Sequence, residues 1–230
     1  MDDLKNKTYY KYRNLREFER FLDVVINSQM YGAKPKELND PMEGKFNPTN
    51  LSKDDYDEIR KGLDNTRICS LLTKQDNQSF PNDYLMWSHY ADMHKGLCIE
   101  YEVPGKTLEK YNDENHLLKW CKVRYRDRKT MCGYITLDNA LLAKADCWKY
   151  EEESRLIYYT KHKRDFYQNN KRSDYFTISG FRVVAVYMGY RIDNKLKAFL
   201  KKHLKLKGIP LYEMNFCRED ITRVEKIKCE

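Results

Sequence analysis

Strand-like and helix-like segments follow one another along this chain of 230 residues without a regular period. Apolar residues at every second position, or short continuous apolar runs, indicate strands, whereas apolar residues three and four apart indicate helices. The predicted strands are residues 8–13, 67–73, 97–103, 123–125, 153–159 and 182–187. Because no regular β-α-β order links them, we expect a mixed α+β fold with central strands and short helices.

One of the predicted helices is basic and amphipathic. The predicted helices are residues 15–26, 52–63, 84–92, 137–145 and 193–207. In the last of them, Leu196, Leu200 and Leu204 form an apolar stripe beside six lysines, so we expect a basic amphipathic helix near the C-terminus. The chain contains no internal repeat, low-complexity run or Pro/Gly-rich linker, which favours a single domain over residues 1–230.

The composition excludes several classes of protein. Hydrophobic residues make up 41% of the chain and aromatic residues 13%, which is enough for a packed core and excludes general disorder. No apolar run approaches the roughly 18 residues that a membrane-spanning helix needs. Residues 1–5 lack the apolar stretch of a signal peptide, so we expect a cytoplasmic protein with no membrane partner.

The cysteines and glycines exclude several common sites. The seven cysteines contain no C-x-x-C pair, which argues against a disulfide framework or a structural zinc site and favours buried thiols. The nine glycines form neither a G-x-G-x-x-G nor a G-x-x-x-x-G-K-[ST] phosphate loop. The G-x-S-x-G and H-E-x-x-H motifs are also absent. We therefore expect any bound anion to be held by side chains, and we expect no metal.

The densest group of charged residues follows Trp148. If this segment is a strand, Glu151, Glu153 and Arg155 point to one face, because side chains alternate with a period of two. The guanidinium would keep one carboxylate ionised, while the other, with a raised pKa, would move a proton or stabilise positive charge. If the segment is a helix, Glu151 and Arg155 form an ordinary surface ion pair and Glu153 points elsewhere.

A second group lies in the predicted helix 84–92. His89 and Asp92 are three residues apart and share a helix face. Trp87 and Tyr90 are also three apart, and such aromatic residues either anchor a core or stack on a ligand. The spacing leaves both interpretations open.

A third group lies in the first strand and in the turn that follows the first helix. Lys11 and Arg13 share one strand face, opposite Tyr12, which places two cations side by side. A phosphate or pyrophosphate would relieve that repulsion, and solvent exposure of both side chains is the alternative. Asn39 and Asp40 precede a proline and predict a turn.

The positive charge of the chain also indicates a class of partner. Lys and Arg total 43 against 35 Asp and Glu, a net charge of +8. Much of this charge lies in the predicted helix 193–207, whose basic face would bind nucleic acid or another anionic partner. A solvated helix face is the alternative.

Together these groups resemble a family of bacterial and phage proteins called domain of unknown function 2971. The resemblance rests on Tyr-Lys-Tyr-Arg at 10–13, Asn-Asp-Pro-Met-Glu at 39–43, Leu-Met-Trp-Ser-His-Tyr-Ala-Asp at 85–92, and Trp-x-x-Glu-x-Glu-x-Arg at 148–155. It covers about residues 8–190, so residues 191–230 are expected to form an extension. Leu38 stands where many members of the family have Phe.

The chain also has an opening Tyr-x-Tyr strand, a helix, an Asn-Asp-Pro turn and a late Glu-x-Glu. In this plan it more distantly resembles ADP-ribosyltransferases, including the type that modifies DNA. The resemblance implies that NAD is the cofactor and that Glu153, with Glu151 and Arg155 beside it, is catalytic. It further implies that early residues hold the NAD. The cofactor-binding residues so implied are Lys11, Tyr12, Arg13, Asn39, Asp40, Glu43, Trp87, His89 and Tyr90. The opening strand of such enzymes carries a His or an Arg. In this chain, only Lys11 or Arg13 corresponds to that residue.

Three functions are therefore expected, in this order. The first is an NAD-dependent transferase of a defence or toxin system that acts on nucleic acid or protein. The second is a non-catalytic module that binds nucleic acid or protein through its basic surface. The third is a Mg²⁺-dependent nuclease that uses Glu151, Glu153 and Asp92. A strand at 151–155 whose charged residues share one cleft with residues 87–90, Lys11 and Arg13 would favour the first.

Overall fold

The computed structural model describes residues 7–73, 81, 83–103, 112–127, 136–162, 167–168, 171–172, 174–178, 180–216 and 224–229. Strands and helices are both present, which confirms the mixed α+β class. The chain forms two compact units. Unit 1 comprises Met1–Gln29, Thr73–Gly105 and Thr177–Glu230, and unit 2 comprises Met30–Leu72 and Lys106–Phe176. A single domain over residues 1–230 stays a prediction.

The described residues form fourteen strands and five α-helices, numbered in chain order. The strands are β1 Lys7–Arg13, β2 Met30–Tyr31, β3 Thr66–Thr73, β4 Leu97–Val103, β5 His116–Lys122, β6 Arg124–Arg126, β7 Ala143–Ala145, β8 Glu153–Thr160, β9 Tyr167–Gln168, β10 Lys171–Arg172, β11 Tyr175–Phe176, β12 Arg182–Met188, β13 Leu211–Phe216 and β14 Val224–Lys228. The helices are α1 Phe18–Val25, α2 Lys53–Asp64, α3 Tyr84–Tyr90, α4 Leu137–Leu142 and α5 Asn194–Leu206. Within the described ranges, 3-10 helices occupy Pro35–Glu37 and Asp146–Glu151.

Unit 1 is built on five strands that pair in the order β14-β13-β12-β4-β1. Only β12 and β13 are parallel; the other neighbours are antiparallel. The predicted amphipathic helix is present as α5, and its Leu200 and Leu204 are buried as expected. Asp193 caps α5, because its Oδ1 accepts hydrogen bonds from the backbone N–H groups of Lys195 and Leu196.

Unit 2 is built on an antiparallel sheet in which β8 lies between β3 and β5. A short parallel pair, β6 and β7, accompanies it. Ser52 caps α2 and Thr136 caps α4, each through a side-chain oxygen that accepts a backbone N–H three residues on. One apolar core of this unit consists of Ile68, Cys121, Leu141, Leu142 and Ile157.

The structure also corrects the sequence expectations in places. The helix predicted over 137–145 ends at Leu142, and the chain continues as β7. The strand considered for 151–155 begins only at Glu153, because Glu151 ends a 3-10 helix and Glu152 has a positive φ of 44°. Strand β5 was not predicted, since its polar residues leave only Leu118 and Cys121 buried. Among the described residues, no helix is long and apolar enough to cross a membrane.

Candidate functional site

Five charged side chains of unit 2 form one buried group, here called the ion cluster: Glu43, Lys144, Glu151, Glu153 and Arg155. Their side chains are only 1–4% exposed. Charged residues are rarely buried to this degree unless they pair with one another. The surface ion pair that a helix over 151–155 would have formed is therefore not present.

A tight turn brings Glu43 into the cluster. The side chain of Asp40 accepts a hydrogen bond from the backbone of Met42 at 2.9 Å, and its carbonyl accepts one from Glu43 at 3.0 Å. Gly44, with φ of 69°, then donates its N–H to the carbonyl of Ala140 in α4 at 3.1 Å. This turn confirms the local geometry expected from Asn39-Asp40-Pro41 and fixes it against α4.

Strand β7 and the start of β8 supply the other acidic and basic groups. Lys144 lies opposite Tyr125 in the parallel β6–β7 pair. The hydroxyl of Tyr125 accepts a hydrogen bond from the backbone of Glu153 at 2.8 Å, which joins this pair to β8. Glu151 reaches the cluster from the end of the 3-10 helix, and the left-handed Glu152 then turns the chain into β8. Strand alternation therefore accounts for Glu153 and Arg155 but not for Glu151.

Arg155 uses all of its guanidinium nitrogens within the protein. Its Nε lies 2.8 Å from Glu153 Oε1, and its Nη2 lies 3.1 Å from Glu153 Oε2. The same Nη2 contacts Glu43, and Nη1 donates to the carbonyl of Leu141 at 2.5 Å. A forked contact of this kind is the strongest geometry for an arginine and a carboxylate.

Lys144 joins all three carboxylates. Its Nζ lies 2.5 Å from Glu151, 3.0 Å from Glu153 and 3.3 Å from Glu43. The same nitrogen lies 5.2 Å from the ring centroid of Trp148, within the range of a cation–π contact. Because three carboxylates surround two cations, the cluster has one negative charge in excess when every group is ionised.

The pKa values of the carboxyl groups in the cluster diverge for physical reasons. Burial tends to raise the pKa of Glu153, but Arg155, then Lys144 and Ser70, outweigh burial and lower it to about 2. For Glu43, burial dominates and repulsion from Glu153 adds to it, so its pKa is raised. Arg155 thus contacts one firmly ionised carboxylate and one carboxyl that binds a proton more readily.

We expect the free energy of unfolding to fall in acid because Glu153 becomes protonated. Its pKa drops from the usual 4.5 to about 2 on folding, so its stabilisation is complete above pH 4.5 and is lost as the pH falls from about 4.5 to 2. The expected loss over this window is roughly 3 kcal/mol. The raised pKa of Glu43 acts in the opposite direction, but mainly above pH 4.5. Urea unfolding at several pH values measures it, and Glu153→Gln should flatten the pH dependence in this range. A wild-type curve as flat as that of the variant would contradict the expectation.

The predicted site residues of unit 1 are partly buried in its core. Tyr12 and Trp87 are 4% and 2% exposed, with ring centroids 5.2 Å apart, and Trp87 Nε1 donates to the Pro81 carbonyl. This arrangement matches the core interpretation of that segment. His89 is exposed and Tyr90 is half-buried.

Lys11 and Arg13 lie on β1 opposite Ile99 and Leu97 of β4. Both side chains are half-buried and share one face of the strand, as the alternation predicts. In α5, the exposed lysines are Lys195, Lys202 and Lys205, and Lys207, directly after the helix, is also exposed. Lys197 instead forms an ion pair with Glu213 of β13.

The predicted residues therefore fall into two groups, one in each unit. Unit 1 contains Lys11, Tyr12, Arg13, Trp87, His89 and Tyr90, and unit 2 contains Asn39, Asp40, Glu43, Glu151, Glu153 and Arg155. The structure brings Glu43 together with Glu151, Glu153 and Arg155. Asn39 is exposed, and Asp40 is buried with an Oδ2 that has no hydrogen-bond partner in the part of the chain that the structure describes. One cleft shared by both groups stays a prediction.

Sequence reasoning missed Lys144, although a signal was available. Lys144 is the one charged residue in the run Ala140-Leu141-Leu142-Ala143-Lys144-Ala145. A lysine inside an apolar run is buried together with its neighbours, and burial requires a carboxylate partner. The nearest acidic residues that follow include Glu151 and Glu153.

The cluster differs from a metal site. Within the described ranges, no group of three or more His, Cys, Asp or Glu side chains is arranged to hold a metal ion. The carboxylates of Glu151 and Glu153 bind Lys144 and Arg155 instead. The nuclease expected from Glu151, Glu153 and Asp92 therefore gains no support from these contacts.

Comparison with protein-family models, with curated proteins and with solved structures gives no match. The resemblances to the domain of unknown function 2971 family and to ADP-ribosyltransferases stay predictions. The class that fold and site define is an α+β protein with a buried cluster of three carboxylates and two cations.

Proposed function

We propose that this chain is an NAD-dependent transferase of the ADP-ribosyltransferase type, which acts on nucleic acid or protein in a bacterial or phage defence or toxin system. One observation carries the proposal: Glu153, the first residue of β8, accepts hydrogen bonds from Arg155 at both carboxylate oxygens and from Lys144 at Oε2, and these cations keep it ionised. Loss of nicotinamide from NAD leaves positive charge on the ribose, as in other oxocarbenium-like transition states. A carboxylate that is always ionised stabilises such charge.

In the proposed reaction, the members of the cluster have different tasks. Arg155 holds Glu153 through both carboxylate oxygens, whereas the Lys144 ammonium contacts Oε2. Because the Glu153 side chain is 4% exposed, the proposed reaction requires it to exchange a contact within the cluster for a ribose hydroxyl. The contact with Lys144 is the one to exchange, since Lys144 keeps Glu43 and Glu151 as partners.

Nicotinamide release tests this proposal. The wild-type protein is incubated with labelled NAD and, in separate reactions, with single-stranded DNA, RNA or bacterial protein extract. We expect nicotinamide release and transfer of label with one of these acceptors. Glu153→Gln should lower the rate by about 100-fold or more, because it removes the charge that acts in the transition state. Glu58→Gln, at an exposed carboxylate of α2, is the matched control and should keep the wild-type rate.

Loss of folding must be separated from loss of chemistry, because Glu153 is a buried ion-pair partner. Circular dichroism and thermal unfolding of each variant establish that it is folded at the assay temperature, and Glu153→Asp keeps the charge where Glu153→Gln does not. Two results would overturn the proposal. One is a wild-type protein that releases no nicotinamide with any acceptor and whose unfolding temperature NAD does not change. The other is a folded Glu153→Gln variant with the wild-type rate.

A further inference from the structure

Unit 1 carries a group of exposed aromatic side chains outside the ion cluster. Tyr84, Tyr190 and Phe216 are 43%, 39% and 38% exposed. Among the residues whose exposure the structure describes, they are the exposed Phe, Tyr and Trp side chains. They come from α3, from the turn after β12 and from the end of β13, so three separate segments place them together.

The rings contact one another in a continuous chain. Tyr84 and Phe216 are nearly parallel, with an angle of 9° and centroids 6.3 Å apart, and Tyr190 meets Phe216 edge-on at 4.9 Å. Tyr190 also lies 4.8 Å from His94, which stacks on the buried Trp87 at 5.8 Å. Contact with a buried ring restrains the exposed ones, so little side-chain entropy is left to lose when a ligand binds.

The backbone beneath these rings is also tightly restrained. Asp92, Met93 and His94 have positive φ angles of 49°, 52° and 67°. The carbonyl of His94 accepts a hydrogen bond from the backbone of Arg191 at 3.1 Å. A Cβ at Gly189 would overlap that same carbonyl oxygen, so only glycine allows the approach. The two segments that supply His94 and Tyr190 are thus fixed against each other.

Cationic side chains lie along the same side of the β13–β14 hairpin. Directly opposite residues of an antiparallel pair point to the same face, and Lys226 is opposite Met214 while Lys228 is opposite Tyr212. Tyr212, Met214 and Phe216 share that face, because side chains alternate along β13. Lys226 Nζ lies 5.0 Å from the Tyr212 ring centroid.

Two further exposed cations are sequence neighbours of these rings. Lys95 and Arg191 are exposed and adjoin His94 and Tyr190 in the chain. The backbone N–H of Arg191 donates to the His94 carbonyl, and burial, followed by the charge of Arg191, lowers the pKa of His94 below its usual range. The distance from Tyr212 to Phe216 along the strand is about 13 Å, enough for a short stretch of an extended polymer.

We propose that this surface, here called the aromatic track, binds single-stranded nucleic acid. The aromatic track consists of Tyr84, Lys95, Tyr190, Arg191, Phe216, Lys226 and Lys228. Bases stack on the exposed rings, and phosphates contact the cations, as in other proteins that bind single strands. A duplex keeps its bases stacked on each other and does not offer them to the rings. Charge favours nucleic acid over a protein partner, because the chain has a net charge of +8 and four cations line the track.

The inference goes beyond the proposed transferase, because it requires neither NAD nor the ion cluster. Fluorescence anisotropy of labelled 12-nucleotide DNA and RNA strands with the wild-type protein measures it directly, with no NAD present. Binding at 50 mM salt should weaken at 200 mM, with a slope of about −3 in log K against log salt for four phosphate contacts. The duplex of the same sequence should bind more weakly, and a mononucleotide more weakly still.

Single substitutions locate the binding surface. Tyr84→Ala and Phe216→Ala should each weaken single-strand binding by about 5- to 100-fold, because each removes an aromatic ring on which one base stacks. Lys226→Ala should weaken binding and reduce the salt slope by about 0.7. Leu206→Ala is the matched control, because Leu206 of α5 is 77% exposed and lies outside the track; its affinity should equal that of the wild type. Circular dichroism confirms that each variant is folded.

Any one of four results would overturn the proposal. The first is that the wild type does not bind the single strand at 50 mM salt, and the second is that it binds the duplex as tightly as the single strand. The third is that a mononucleotide binds as tightly as the 12-mer. The fourth is that the Tyr84→Ala and Phe216→Ala variants bind like the wild type. In the last case the basic face of α5 would be the binding surface, and Lys202→Ala with Lys205→Ala would weaken binding. Nicotinamide release is measured in a separate assay. If the transferase proposal fails there, the binding experiments still test whether the aromatic track binds single-stranded nucleic acid.

Discussion

Replacement of Arg155 by Met is expected to lower the free energy of unfolding by about 3–5 kcal/mol. The Arg155 side chain is 1% exposed and contacts both Glu43 and Glu153. Methionine keeps an unbranched side chain but is shorter and carries no charge, so two buried carboxylates lose their guanidinium partner. Desolvation of a charge without a partner costs more than the ion pair itself contributes. Urea unfolding at pH 7, followed by circular dichroism, measures the change.

Arg124→Met is the matched control for this prediction. Arg124 also contacts a carboxylate, that of Asp138 at 2.6 Å, but the two side chains are 39% and 56% exposed. Solvent screens this pair, so its loss should cost less than about 1 kcal/mol. Arg155→Lys keeps the charge but not the forked contact and should fall between the two. An Arg155→Met variant within about 1 kcal/mol of the wild type would show that the ion cluster does not stabilise the fold.

Replacement of Lys144 by Met should also cost about 3–5 kcal/mol. Lys144 contacts Glu43, Glu151 and Glu153, and the attraction of these three carboxylates raises its pKa above the usual range despite its burial. Without Lys144, Arg155 is left as the one cation among three buried carboxylates. The same urea titration measures the loss.

A double variant makes the Lys144 prediction sharper. Glu151→Gln should destabilise the wild type but restore part of the stability of the Lys144→Met variant, because it removes one of the carboxylates left in excess. We expect a favourable coupling of about 1 to 3 kcal/mol between the two changes. Lys61→Met, at an exposed position of α2, is the control and should change stability by less than about 0.5 kcal/mol. Strictly additive costs would argue against a shared charge balance.

The contrast between strands β4 and β5 shows how far local pattern predicts this fold. Residues 97–103 begin with three apolar residues, continue with alternating charged and apolar residues, and lie between Gly96 and a proline. The observed β4 has the same bounds as the predicted strand. Residues 116–122 include His116, Lys119 and Lys122, which mask the strand pattern. This segment is a strand because β8 supplies its hydrogen-bond partners, and pairing between distant segments leaves little trace in the local sequence.

The candidate site shows the same limit. The shared face of Glu153 and Arg155 follows from strand alternation, which is a local property. Glu151 was placed on the same face for the wrong reason, since a 3-10 helix and the left-handed Glu152 bring it to the cluster. Lys144 and Glu43 come from other segments of the chain, and Glu43 lies 112 residues from Arg155.

The amino-acid sequence alone decides the α+β class, the approximate positions of the described helices and of strands such as β1, β3, β4, β8 and β12, and which charged groups are present. The spacing of apolar residues that is typical of a helix or a strand involves residues close together in the sequence, so it can be recognised from the sequence alone. Which charges meet, how deeply they are buried, and which carboxyl is ionised are decided only by the tertiary structure. Coulomb attraction and desolvation depend on neighbours in space, so Glu43 and Glu153 differ in pKa because of the groups that folding packs around them.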